Sequence, residues 1–217
     1  MIETRAVIFA NGVLHDNETV RSLLQSEDVL IGADGGTHHI LDLGLLPSIV
    51  IGDLDSLSEN HLNILTEAGV RILQYPVDKD HTDLELVFDY VVNTGYQSIL
   101  VLTAFGGRLD QTLSNLALLT RHDLLKLDVR MHDGNEEAFF IQSEGLVRGR
   151  AGDTVSLLPW GNAVIGITTG GLRWPLIGET LYPHKTRGIS NEMLGEQATI
   201  KFDSGLLLCI HQNHKPE

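Results

Sequence analysis

The sequence predicts an α/β fold: an N-terminal, mostly parallel sheet with flanking helices, followed by a C-terminal antiparallel β-sandwich. Two observations carry that expectation. Up to about Gly134, short apolar runs alternate with longer amphipathic ones, the order of strands and crossover helices in a parallel sheet. Beyond it, β-rich runs separated by glycine follow one another with no crossover helix between them. The predicted domains are residues 1–140 and 141–217, with the boundary region between Asp133 and Gly152.

The strands expected in the first part span residues 6–10, 29–33, 49–51, 71–75 and 99–103. Between them, residues 37–43 read as a helix closed by Gly44 and then Pro47, and residues 59–68 as another closed by Gly69. Glycine suits these ends because a left-handed residue terminates a helix at least cost when it has no Cβ. The helix over 82–93 is the best specified. Thr82-Asp83-Leu84-Glu85 fits a capping box, and Leu84, Val87, Phe88 and Val91 recur on one face. A further helix over 110–119 follows the turn Gly106-Gly107-Arg108, with Leu113, Leu116 and Ala117 expected to face inward. The later strands are expected at 138–141, 154–158, 163–168, 198–202 and 206–210.

Of 217 residues, 15 are basic and 29 acidic, a net charge of -14 that argues against nonspecific binding to nucleic acid or anionic membranes. A bound metal ion reverses the sign locally, so phosphorylated small molecules stay compatible with it. The single cysteine, Cys209, has no intramolecular partner and reads as core filler within Leu206-Leu207-Leu208-Cys209-Ile210. No apolar run reaches the length of a membrane helix, and Met1-Ile2-Glu3-Thr4-Arg5 lacks a secretory pattern, so a cytoplasmic protein is expected.

The chemistry concentrates at predicted strand ends and helix starts, the side where open α/β sheets bind ligands. Gly52-Asp53-Leu54-Asp55-Ser56 puts two carboxylates at the mouth of a buried strand, and hard oxygen donors in that setting suit Mg²⁺. A plain turn with Asp55 or Ser56 capping the next helix is the simpler account of that segment alone. Another competitor is the haloacid-dehalogenase phosphatase motif with Asp53 as nucleophile, but that motif expects Thr or Val where this chain has Leu57, and a first strand rather than a third. In Asp78-Lys79-Asp80-His81-Thr82-Asp83, an acid-rich helix start explains one or two carboxylates. Beyond these, Asp83 is placed as a further metal ligand, and Lys79 as a point charge for a phosphate. Gly106-Gly107-Arg108 allows backbone to approach an anion and adds a guanidinium fork; Ala33-Asp34-Gly35-Gly36 ends another strand in the same manner. No Walker loop or GxGxxG fingerprint is present. The 10 histidines show no zinc-site spacing.

Taken in order, Ala33-Asp34-Gly35-Gly36, Gly52-Asp53-Leu54-Asp55-Ser56, Asp78-Lys79-Asp80-His81-Thr82-Asp83, Gly106-Gly107-Arg108-Leu109-Asp110-Gln111, Ser114-Asn115, Gly171-Leu172-Arg173-Trp174-Pro175-Leu176 and Arg187-Gly188-Ile189-Ser190-Asn191-Glu192 closely resemble the thiamine pyrophosphokinase family. The resemblance runs from the second strand nearly to the C-terminus. It implies an α/β catalytic domain, a thiamine-binding β-sandwich and a homodimer with active sites at the subunit interface. The implied reaction is ATP-dependent transfer of a pyrophosphoryl group to the hydroxyl of thiamine, giving thiamine diphosphate and AMP. Carried over position by position, the metal-binding acids are Asp53, Asp55 and Asp83, with Asp34 and Asp110 near the same centre, and Arg108 handles phosphate. Gly35, Gly36, Lys79, Asp80 and Gly107 fall with Asp34 and Arg108 on the nucleotide-binding motifs. Gln111, Ser114, Asn115, Trp174, Ser190 and Asn191 fall on the substrate side. Bacterial members often carry His where this chain has Gln111. The alternatives from other classes are a Mg²⁺-dependent phosphohydrolase with Asp53 as nucleophile and a noncatalytic thiamine or nucleotide sensor.

Overall fold

The structure, a computed structural model, describes residues 4–14, 16–78 and 80–214. They fall into two compact units, Met1–Gly134 and Asn135–Glu217. In the first unit the elements run β1 (Ala6–Phe9), α1 (Asn17–Leu23), β2 (Val29–Ala33), α2 (Thr37–Asp42), β3 (Ile49–Gly52), α3 (Glu59–Glu67), β4 (Arg71–Gln74), α4 (Asp83–Thr94), β5 (Ser98–Leu102), α5 (Leu109–Leu118) and β6 (Asp128–His132). The strands lie in the order β6-β5-β1-β2-β3-β4, every pairing parallel.

Strands covered on both faces read as unbroken apolar runs, and every residue of β1 and of β3 is buried. Below one face, Val7, Phe9, Leu100 and Leu102 meet Val20 of α1 with Ile40 and Leu43 beside α2, while Val50 meets Leu57 and Leu65 near α3. α4 packs against β2 and β3 through the 84, 87, 88 and 91 positions its periodicity predicts. The chain builds outward from β1 through β2 and β3 to β4, then α4 carries it back to β5 on the other side of β1. Connections therefore leave β1 and β5 in opposite directions, which opens a crevice at their C-terminal ends.

Two elements of this unit were not foreseen. α1 has a single buried residue, Val20, and is started by the Asp16 carboxylate accepting from the Glu18 and Thr19 amides, so it carries no apolar period. β6 alternates exposed or half-buried positions with buried Val129 and Met131 instead of running apolar throughout. One expectation is corrected. In α5 the inward face is Asn115 and Leu116, whereas Leu113 is 50% exposed and Ala117 also faces solvent. The stripe 109, 113, 117 fits a helical period as well as the true face does. What selects the true face is the Asn115 Nδ2–H donating to the Ala104 carbonyl at 3.0 Å.

The second unit holds β7 (Glu136–Ile141), β8 (Glu144–Arg148), β9 (Thr154–Pro159), β10 (Val164–Gly170), β11 (Glu179–Leu181), β12 (Asn191–Glu192), β13 (Gln197–Lys201) and β14 (Leu207–Gln212). They form two antiparallel layers, β12-β9-β14-β7 and β11-β10-β13-β8. Phe139, Leu157, Leu207 and Cys209 of one layer share a core with Val147, Val164, Ile167 and Ile200 of the other, which makes the unit a sandwich.

Candidate active site

Three chain segments deliver carboxylates to one point. β2 ends at Ala33 and turns at Asp34, held at φ 42° in the left-handed region. β3 ends at Gly52, followed by Asp53, and α4 opens on Asp83 behind its Thr82 cap. Oxygens of Asp34, Asp53 and Asp83 lie within 4.8 Å of one another. The Asp34 carboxylate also accepts the Leu54 N–H at 3.0 Å, tying the β2 and β3 loops together. A Cβ at Gly52 would stand 2.7 Å from the Asp34 Cβ and 3.1 Å from Asp83 Oδ1, so only glycine lets these acids close in. Like charges this close disfavour one another unless a cation joins them, and an all-oxygen donor set fits a hard divalent ion such as Mg²⁺.

Asp55 is not brought to this point. Leu54, at φ 70°, turns the chain away, and the Asp55 carboxylate faces solvent and accepts from the Ser56 hydroxyl at 3.2 Å. Its amide donates to the Asp53 carboxylate at 3.3 Å. Asp34 occupies the place beside Asp53 and Asp83.

Asp34 and Asp83 line a pocket of about 490 Å³ at the crevice the strand order predicts. Its lining comes from Ala10 to Val13 after β1, Asp34 after β2, the start of α4, and Gly106, Gly107, Arg108, Gln111 and Asn115 after β5. The two flanking loops are locked together: Gly12 N–H donates to the Thr103 carbonyl at 2.7 Å, and the Thr103 hydroxyl donates to the Ala10 carbonyl at 2.6 Å. Gly106 and Gly107 adopt φ 78° and 70°, which leads the chain to Arg108 at the start of α5. The Arg108 guanidinium grips the Asp110 carboxylate in two bonds of 3.1 and 2.5 Å at an exposed rim. Hydrogen bonding to Asp110 raises the Arg108 pKa, and the same bonds lower that of Asp110.

Other residues singled out in the sequence are placed differently. Gly35 and Gly36 are buried and outside the pocket lining; a Cβ on Gly36 would meet the Phe9 carbonyl at 1.9 Å, so close packing demands glycine there. Asp80 and Ser114 are exposed and outside the lining, and Lys79 lies outside the described residues. In the second unit, the buried Asn191 carboxamide accepts the Trp174 and Glu192 amides at 3.0 and 2.9 Å and donates to the Trp174 carbonyl at 2.7 Å. It pins a half-exposed indole, with the Arg173 guanidinium 5.7 Å from the ring centre. Ser190 is exposed at φ 54°, its amide donating to the Ser156 hydroxyl at 3.0 Å. The sequence reading missed Asn11, Gly12 and Thr103. For Asn11 and Gly12 the one signal is that the pair directly follows the first apolar strand, where it reads equally as a plain turn.

Comparison with known families decides the lineage. The family described as "Thiamin pyrophosphokinase, catalytic domain" matches residues 20–131, and "Thiamin pyrophosphokinase, vitamin B1 binding domain" matches residues 142–207. The chain belongs to the thiamin pyrophosphokinase family. Membership makes it an enzyme of a family that forms thiamine diphosphate. Among named relatives, the thiamine pyrophosphokinase of Bacillus subtilis (strain 168) is 29% identical over 182 residues, covering 83% of this chain and 85% of its own. Thiamine pyrophosphokinase 1 of Arabidopsis thaliana is 27% identical, covering 82% and 76%. The crystal structure of thiamine pyrophosphokinase from Bacillus subtilis superposes with a TM-score of 0.87 at 25% identity, over 98% of this chain and 100% of that one. The catalytic-domain match includes the acidic cluster, and the B1-binding match includes Trp174, Ser190 and Asn191.

Proposed function

We propose that this pyrophosphokinase uses ATP, and that the thiamine hydroxyl attacks the β-phosphorus to give thiamine diphosphate and AMP. The observation that carries the reading is the convergence of Asp34, Asp53 and Asp83 beside a pocket edged by Gly106, Gly107 and Arg108. The three carboxylates fit Mg²⁺, which when bound neutralises the polyphosphate. The chain's own groups then position and accept: Gly106 and Gly107 leave room for phosphate oxygens, and Arg108 trades Asp110 for the nucleotide, a charge-assisted fork for a charge-assisted fork. Asp110, once released, is free to accept a proton. Attack at β instead of γ is set by where the hydroxyl is held. For the thiamine side, the exposed face of Trp174 with Ser190 and Asn191 supports recognition of an aromatic cation. A homodimer with active sites at the subunit interface belongs to the same reading, supported by Ile177, Leu194 and Trp174 exposed at 78%, 60% and 51%. Cytoplasmic residence completes it; among the described residues no helix is long and apolar enough to cross a membrane.

The test is one incubation with thiamine, ATP and Mg²⁺ followed by phosphorus NMR. AMP with thiamine diphosphate is the expected outcome; inorganic phosphate released from a phosphoester without ATP would favour a hydrolase acting through Asp53, and binding without turnover a sensor. Asp34→Asn, which keeps the left-handed turn that Asn tolerates, is expected to lower turnover on the order of a hundredfold or more.

A further inference from the structure

We propose that Asn11 is a nucleotide-binding residue whose carboxamide N–H donates to a phosphoryl oxygen of ATP beside the acidic cluster. The inference rests on the ATP reading above and adds to it a residue outside the matched span 20–131.

The backbone fixes Asn11 from both sides. The Ala10 amide donates to the Leu102 carbonyl at 3.0 Å and the Gly12 amide to the Thr103 carbonyl at 2.7 Å, while a ring nitrogen of His39 bonds the Gly12 carbonyl at 2.9 Å. A Cβ on Gly12 would fall 2.2 Å from the Thr103 carbonyl oxygen, so the loop keeps this close approach only with glycine there. The side chain has a seat of its own. A Cβ on Gly35 would lie 2.5 Å from Asn11 Nδ2, 2.6 Å from Cγ and 2.7 Å from Oδ1, so the bare backbone at 35 is what accommodates the carboxamide. Gly35 directly follows Asp34, which places the seat next to the acids.

A group held this firmly normally has structural bonds to show for it. Asn115 donates to Ala104 and Asn191 clamps Trp174, but the Asn11 carboxamide makes no hydrogen bond among the described residues and lies exposed in the pocket lining. Its donors are thus open to a ligand that enters the pocket. The polyphosphate offers acceptors only, and a neutral donor next to three carboxylates attracts it without adding charge. Preorganised donors of this kind act with little reorganisation when the ligand arrives.

Asn11→Ala and Asn11→Asp are the variants to compare, assayed for KM of ATP and of thiamine and for binding of a nonhydrolysable ATP analogue by calorimetry with Mg²⁺. Loss of a hydrogen bond to a charged group predicts kcat/KM for ATP and analogue affinity down about ten- to a hundredfold in Asn11→Ala, with the thiamine KM within about twofold of wild type. Asn11→Asp, of equal size but without the donor, is expected to be weaker still. Wild-type analogue affinity in either variant, equal losses in both, or a change confined to thiamine would overturn the assignment. Both side chains are exposed, and matching thermal midpoints establish that each variant folds. Failure of the wild type to make AMP and thiamine diphosphate in the same assay would instead strike the ATP reading.

Discussion

Gly52 is the residue on which the acidic cluster turns, because any side chain there points at both Asp34 and Asp83. Gly52→Ala must push the acids apart or move β3. The expected result is a loss of about 1–3 kcal/mol in urea denaturation together with at least about a tenfold fall in kcat. Wild-type values for both would mean that the acids have slack the geometry does not show. Three of the non-glycine residues in the left-handed region, Asp34, Leu54 and Thr103, surround the same site. Such conformations cost of order 1–3 kcal/mol each and persist where neighbours over-determine them. Here the Asp34 carboxylate to the Leu54 amide and the Thr103 hydroxyl to the Ala10 carbonyl are those constraints. The first bond fixes Asp34 in the pocket lining, and the second ties the loop after β5 to the one after β1.

At the scale of elements, the cap of α4 couples folding to the site. The Thr82 hydroxyl accepts the Glu85 amide at 3.3 Å, and the next residue, Asp83, carries a cluster carboxylate. Thr82→Ala should cost about 1 kcal/mol of stability, read by urea denaturation, and raise the Mg²⁺ concentration needed for half-maximal rate, since a frayed first turn loosens Asp83. A stability loss with unchanged Mg²⁺ dependence would separate the cap from the site. This cap was legible in the sequence because Thr-x-x-Glu ahead of an apolar period states start and face together. The parallel order of strands was legible for a similar reason: Ala6–Phe9 and Ile49–Gly52 are apolar throughout, as strands covered on both faces are. The turning of Asp55 away from Asp53 was not legible. It depends on Leu54 taking a left-handed conformation that leucine seldom adopts and no residue type announces. Asn11 was hidden differently, since Asn-Gly after a strand reads as a turn and its seat is a glycine distant in sequence.

For the whole molecule, the second unit carries a buried charge network that sets how stability follows pH. His211 on β14 lies 3.0 Å from the Asp153 carboxylate and 3.8 Å from that of Glu137 on β7, and all three side chains are at most 16% exposed. Asp153 also accepts the Arg150 and His214 amides at 2.9 and 2.8 Å, with the Arg150 guanidinium 3.9 Å away. Burial opposes charge on the imidazole, but the two carboxylates outweigh it and raise the His211 pKa; burial opposes charge on Asp153 as well, and its donors outweigh that and lower its pKa. A raised histidine adds stability that is complete below the unfolded value near 6.5 and disappears as pH climbs through the folded value. A lowered aspartate adds stability that is complete above about 3.9 and disappears as pH falls through its folded value. The network therefore favours a mildly acidic window. Both tryptophans of the chain, Trp160 and Trp174, lie in this unit, so tryptophan fluorescence reports its unfolding directly. The unfolding free energy from urea denaturation is expected to fall from pH 6.5 toward pH 8.5, by up to about 1.4 kcal/mol for each unit by which the His211 pKa is raised, and the urea midpoint falls with it. His211→Gln removes the titrating group, so its midpoint should start lower and stay flat over that range. A slope that survives the substitution would move the pH dependence to another group and leave His211 as packing alone.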